Sequence, residues 1–335
     1  MRAAALAQGA QRSSIDPPQG CGEEMQMDTE SVSRPGAPLV APFPYFGGKR
    51  RIAAEVWRRF GNVRSYVEPF FGSGAVLLGR PTPFDGVETV NDLDGLLCNF
   101  WRAVRADPAA VAEAADWPVS ECDQIARHAW LVERREGITE ALCADPEWFD
   151  ARAAGWWVWG MSAIGIARGR FTARGSPGCA NLGPPQGVIS LRKSGGLGRL
   201  VDSLSWRFGD VRVRCGDWRR MVQSDTSIGV PWGMAAVFLD PPYDTGAMDY
   251  AAGGMGRGIA AAVRAWALDA GKRPDIRIAL CGYDEHDDLE RAGWSAYRWS
   301  TGDHVAKGGP SKGNGHREVV WFSPACIAAQ QMRLL

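Results

Sequence analysis

The tetrapeptide Asp240-Pro241-Pro242-Tyr243 follows an apolar run at 235–239, and its residue types suit one demanding reaction. The nitrogen of an aromatic amine is a poor nucleophile, because its lone pair is delocalised into the ring. The Asp240 carboxylate and the Pro241 carbonyl can accept the two amino hydrogens, draw the nitrogen toward tetrahedral geometry and aim its lone pair at a methyl donor. Pro241 and Pro242 hold the backbone that carries both acceptors. Tyr243 offers a ring on which an extruded base can stack. The plainer alternative is a proline-rich turn that closes a strand.

A donor needs a pocket, and two earlier segments could form one. Val67-Glu68-Pro69-Phe70-Phe71-Gly72-Ser73-Gly74 reads as a strand ending in an acid, then a turn whose glycines admit a ligand close to the backbone. The amides of the helix beyond can meet a carboxylate. Such a turn is common in α/β proteins and is weak evidence alone. Asn91-Asp92 closes the next strand, about twenty residues after the turn, where an acid suits ribose hydroxyls. Asp92 also suits a helix N-cap, and the two roles are compatible.

These residues need a sheet to hold them at one edge. Ser65–Glu68, Val87–Asp92, Val211–Cys215 and the runs 235–240, 276–281 and 317–323 read as strands, with helical spacing at 92–104 and 258–270. Strands alternating with helices imply a mostly parallel sheet with helices on both faces. Residues 106–208 interrupt the rhythm with an acidic helical stretch, a helix around Trp156, Trp157 and Trp159, and a Gly/Pro/Arg loop. They read as an inserted, mainly helical module, with the tryptophans as helix packing rather than base stacking. Residues 1–40 lack periodicity and read as a disordered leader, and 327–335 as a tail.

Composition narrows the partners. Formal net charge is zero, yet residues 107–149 carry ten acids against three bases, and 150–220 carry twelve bases against four acids. A basic segment in a neutral chain can hold a polyanion on one face. Arg168, Arg170 and Arg174, then Arg192 and Lys193, lie in glycine-rich stretches that could follow DNA. Eight scattered cysteines form no CxxC pair, and no histidine has metal-ligand spacing, so neither a zinc site nor a disulfide framework is indicated. No run is long enough for a membrane helix. The expectation is a soluble, cytoplasmic protein without a metal.

In order along residues 42–326, these motifs resemble the Dam-like, D12 class of adenine-N6 DNA methyltransferases, including phage members. PFPYFGGK at 42–49 looks like the family's first cofactor motif, VEPFFGSG like its cofactor turn, and VND like its ribose-binding acid. VRCGDW at 213–218 is similar to the strand end beside the cofactor adenine. DPPY looks like the catalytic tetrapeptide, and REVVWFSPAC at 317–326 resembles the phage members' last strand. The resemblance implies a Rossmann-like catalytic domain over 41–105 and 209–326, with 106–208 as the DNA target-recognition module. It implies S-adenosyl-L-methionine as cofactor, held by Tyr45, Gly47, Gly48 and Lys49, by Glu68, Pro69, Phe70, Gly72 and Gly74, and by Asp92, Asp217 and Asp240. Asp240 through Tyr243 would be catalytic, on an adenine flipped from double-stranded DNA. A partner restriction nuclease and a monomer or weak dimer are further expectations, in a bacterial cell or the host of a phage.

One departure stands out. Well-known members read DNA with an Arg–Asn–Gly hairpin, whereas this chain has Arg168-Gly169-Arg170-Phe171-Thr172-Ala173-Arg174-Gly175. Cytosine-N4 methylation uses the same tetrapeptide logic but is disfavoured by motif order. Methylation of RNA or of a protein glutamine is another alternative; in the protein case Asn usually replaces Asp240. A catalytically silent DNA-binding protein would not need Lys49, Asp92 and Asp240 together.

Overall fold

The computed structural model describes residues 39–44, 49–82, 84–164, 186–242, 258–283, 287–299 and 318–328. Their centre is a seven-stranded sheet: β1 Ser65–Glu68, β2 Val87–Asp92, β3 Val211–Cys215, β4 Ala235–Leu239, β5 Ile276–Tyr283, β6 Ser295–Arg298 and β7 Glu318–Phe322. The spatial order is β3-β2-β1-β4-β5-β7-β6. The first five strands pair in parallel. β7 enters between β5 and β6 and runs antiparallel to both. The expected Rossmann-like sheet is what forms, with one reversed strand near its far edge.

Apolar runs without alternation mark strands covered on both faces, and the core divides accordingly. Tyr66, Phe238, Cys281 and Phe322 join one cluster, with Ile52, Val56, Trp57 and Phe60 from helix Arg50–Phe60. Their chain neighbours Val67, Val237, Leu280 and Trp321 join the other, with Val263 and Ala267 from helix Ile259–Ala270. Side chains alternate across a strand, so β1, β4, β5 and β7 each supply both layers.

Between β2 and β3 the described elements are helices, joined by short non-helical segments: Gly95–Ala106, Pro108–Ala115, Glu121–Ala144, Ala151–Ile164, Gly187–Leu191 and Gly196–Arg207, with a 3₁₀ turn at Arg192–Ser194. Val111, Leu131, Trp157 and Leu204 pack into the same cluster as Phe100 and Trp101 of helix Gly95–Ala106. Trp157 and Trp159 are buried, and the Trp159 Nε1–H donates to the Trp117 carbonyl at 2.8 Å. Packing therefore accounts for these two rings. Except for residues 39, 40, 327 and 328, the expected leader and tail lie outside the described residues.

Glu88 of β2 ties this helical stretch to the sheet. Its Oε1 accepts from Arg80 at 2.9 Å and from Arg207 at 2.8 Å, and its Oε2 from Arg207 at 2.6 Å. Arg80 also donates to the Val63 carbonyl, and Arg207 to the Leu77 carbonyl. The Phe84 ring lies 4.4 and 4.7 Å from the two guanidinium carbons. All three charged residues are buried, which is tolerable only because each is multiply hydrogen-bonded. Removing the one acid strands two buried cations. Glu88→Ala is expected to destabilise the fold by about 3–5 kcal/mol, read as a lowered midpoint in chemical denaturation.

Candidate active site

β1 and β4 are neighbours, yet β1 is followed by β2 on one side and β4 by β5 on the other. Their connections diverge at the carboxyl edge and leave a crevice there, the usual ligand position in an open α/β sheet. Glu68 ends β1, Asp92 ends β2, Gly216-Asp217 follows β3, and Asp240-Pro241-Pro242 follows β4. The sequence motifs thus converge on one edge from four strands.

After Glu68 the backbone turns through Gly72 at φ 51° and Gly74 at φ 68°. A Cβ on Gly74 would lie 2.5 Å from the Phe71 ring, which is itself packed against Trp101 and Phe208. Only glycine fits there. The Phe71 N–H donates to the Asn91 carbonyl at 2.9 Å. The Asn91 amide donates to the Pro69 and Gly216 carbonyls at 3.0 and 2.9 Å, stitching three strand ends together.

Asp92 accepts one N–H on each oxygen, from Gly72 at 2.9 Å and from Asp94 at 3.0 Å. Each oxygen keeps lone-pair capacity for an outside donor. Burial raises its pKa to about 6, against the lowering effect of those backbone N–H groups. The helix cap is Asp94, which accepts from the Leu96 N–H at 3.0 Å, so Asp92 is left out of capping.

Glu68 is buried and accepts from the Tyr66 hydroxyl at 2.7 Å. Burial pushes its carboxyl well above the usual range despite that bond. Pro69 is buried, and Phe70 is half-buried with its ring centroid 6.0 Å from that of Trp218. Asp217 is exposed and paired with Arg219 at 3.1 Å.

Lys49 precedes helix Arg50–Phe60 and is buried. Its Nζ lies 3.0 Å from Asp240 Oδ1 and 3.6 Å from Glu318 Oε2. The expected cofactor lysine therefore engages the expected catalytic acid. Glu318 was not among the expected residues. It opens an apolar run, and its place at the site follows only from the reversed direction of β7. Trp299, just past β6, was missed as well; its backbone N–H donates to the Glu318 carbonyl at 3.2 Å.

Of the expected DNA contacts, Arg192 pairs with Asp116 at 2.5 Å and Lys193 is exposed. Arg168, Arg170 and Arg174 lie outside the described residues, as do Tyr45, Gly47, Gly48 and Tyr243. Among the described residues no group of three or more His, Cys, Asp or Glu could hold a metal ion, and no helix is long and apolar enough to cross a membrane.

No curated protein matches the chain. The segment that holds Lys49, the turn with Gly72 and Gly74, and Asp92 does match a family: residues 45–126 are similar to the D12 class N6 adenine-specific DNA methyltransferases.

Proposed function

We propose that the chain transfers a methyl group from S-adenosyl-L-methionine to the N6 amino group of an adenine flipped out of double-stranded DNA. The observation that carries this reading is the convergence of the glycine turn, Asp92 and Asp240 on the crevice between β1 and β4. The family match over residues 45–126 supports it.

The residues present fit the cofactor. The turn carries no side chain at Gly72 and Gly74 to fill the crevice, and each Asp92 oxygen keeps lone-pair capacity for a hydroxyl donor. When bound, the cofactor supplies a methyl group on a sulfonium that departs as a neutral thioether. Asp240 accepts one amino hydrogen and the Pro241 carbonyl the other, which localises the nitrogen lone pair for attack. As the new N–C bond forms, Asp240 is placed to take up the amino proton. Tyr243 would stack on the base, and Arg168, Arg170 and Arg174 would read or hold the DNA. Lys193 suits a phosphate contact, whereas Arg192 must first leave Asp116. Flipping costs a few kcal/mol, which such contacts must offset.

Two outcomes test this. Asp240→Ala should lower methyl transfer from tritiated cofactor to unmodified genomic DNA by at least about a hundred- to a thousandfold, with the melting temperature retained. Near wild-type turnover would remove Asp240 from the chemistry. The second is a pH dependence. The Asp92 pKa is about 6 in the ligand-free protein, and the ionised form is the better acceptor for ribose hydroxyls. Affinity should be full well above pH 6 and fall as pH drops through it, by about tenfold at one unit below. Calorimetry that gives equal affinity at about pH 5 and pH 8 would take Asp92 out of the pocket.

A further inference from the structure

Lys49 meets carboxylates from two directions. Asp240 follows β4, and Glu318 is the first residue of β7, in register with Tyr283 at the end of β5. A strand parallel to its neighbours would bring its last residue to this edge; β7 is reversed and brings its first. The Glu318 side chain is 13 % exposed, against 20 % for Asp240 and 8 % for Lys49. The Trp299 ring centroid lies 5.8 Å from the ammonium. One cation thus serves two carboxylates in a largely dry setting, where each charge is felt strongly by the others.

We propose that Glu318 is a positioning residue for methyl transfer, sharing Lys49 with Asp240 so that the catalytic carboxylate stays ordered yet keeps its negative charge. This rests on the role given to Asp240 above. With Glu318 ionised, the trio carries net negative charge, and Asp240 can still attract the amino hydrogens. With Glu318 neutral, more of the field of the ammonium falls on Asp240, and the lysine competes with the amine for the same oxygens. Glu318 therefore sets how good an acceptor Asp240 is without touching the base.

The charge state of Glu318 is open to change. Burial lifts its carboxyl above the usual range and the Asp240 charge adds to this, while Lys49 opposes both. Glu68 at the end of β1 and Cys281 on β5 belong to the same electrostatic cluster. The rate of transfer should accordingly fall as pH falls through the raised Glu318 pKa.

The test uses the full chain with saturating tritiated S-adenosylmethionine and unmodified genomic DNA, followed across pH. Glu318→Gln is expected to lose about tenfold in rate near pH 8 and to lose the acid limb that Glu318 contributes. Glu318→Asp, which keeps the charge, should stay within about threefold and retain a limb. Cofactor affinity and melting temperature should stay near wild type in both. The proposal is overturned if Glu318→Gln matches the wild type in rate and pH profile. It is equally overturned if both variants fall together with cofactor affinity, as a merely structural residue would require. Should Glu318→Gln not fold, the Glu318→Asp profile decides: a displaced limb supports the assignment and an unchanged one overturns it. A wild-type chain that transfers no methyl group sinks the underlying functional reading instead.

Discussion

Two parallel strands, β1 and β4, lie side by side and fully buried, and the chain leaves them toward opposite sides of the sheet. Nothing can bridge the gap between their carboxyl ends without blocking it, so that gap is where a ligand can reach the backbone. The other features of the site follow from this divergence. The turn with Gly72 and Gly74 must fold back tightly after β1, and Asp240 must stop where β4 stops. Asn91 then fixes the heights of the β1, β2 and β3 ends relative to one another through two amide hydrogen bonds.

The helical stretch between β2 and β3 is held to this frame in two ways. Apolar contact with helix Gly95–Ala106 is extensive but non-directional. The Arg80–Glu88–Arg207 set is directional, with four of its hydrogen bonds at 2.6–3.0 Å. Buried ion pairs add little net stability but are costly to break. Their use at a junction favours one arrangement of the helices over looser ones with the same apolar contacts.

Much of this frame is legible in the sequence, because strands covered on both faces must be apolar throughout. β4, β5 and β7 announce themselves in that way, whereas β3 shows by alternation, with Arg212 and Arg214 exposed, and β1 and β2 mix polar with apolar residues. The residues at the ends of all six can be read for chemistry. β6 does not announce itself. Its four residues, Ser295-Ala296-Tyr297-Arg298, are exposed or half-buried and carry no apolar run. Helix Arg50–Phe60 is masked by arginines at four of its eleven positions. Asp94 takes the helix cap two residues beyond the acid that the spacing singles out. Lys49 is visible as a motif residue, but its engagement with Asp240 is a long-range pairing that no local pattern encodes. Glu318 is harder still. An acid opening a strand signals nothing unless the direction of that strand is known, and direction is a property of the whole sheet.

The placement of β7 also has a consequence for synthesis. Among the described strands β6 pairs only with β7, yet it leaves the ribosome first. Until β7 follows, β5 is an open sheet edge and β6 has nowhere to dock. Lys49 and Asp240 have long been made by then, but Glu318 has not. A nascent chain can therefore assemble the crevice between β1 and β4 while its charge balance is still incomplete. The exposed edge of β5 is the kind of surface on which unfinished chains stick to one another. Slotting the last strand inside the sheet, rather than at its rim, makes closure of that edge and completion of the site a single event.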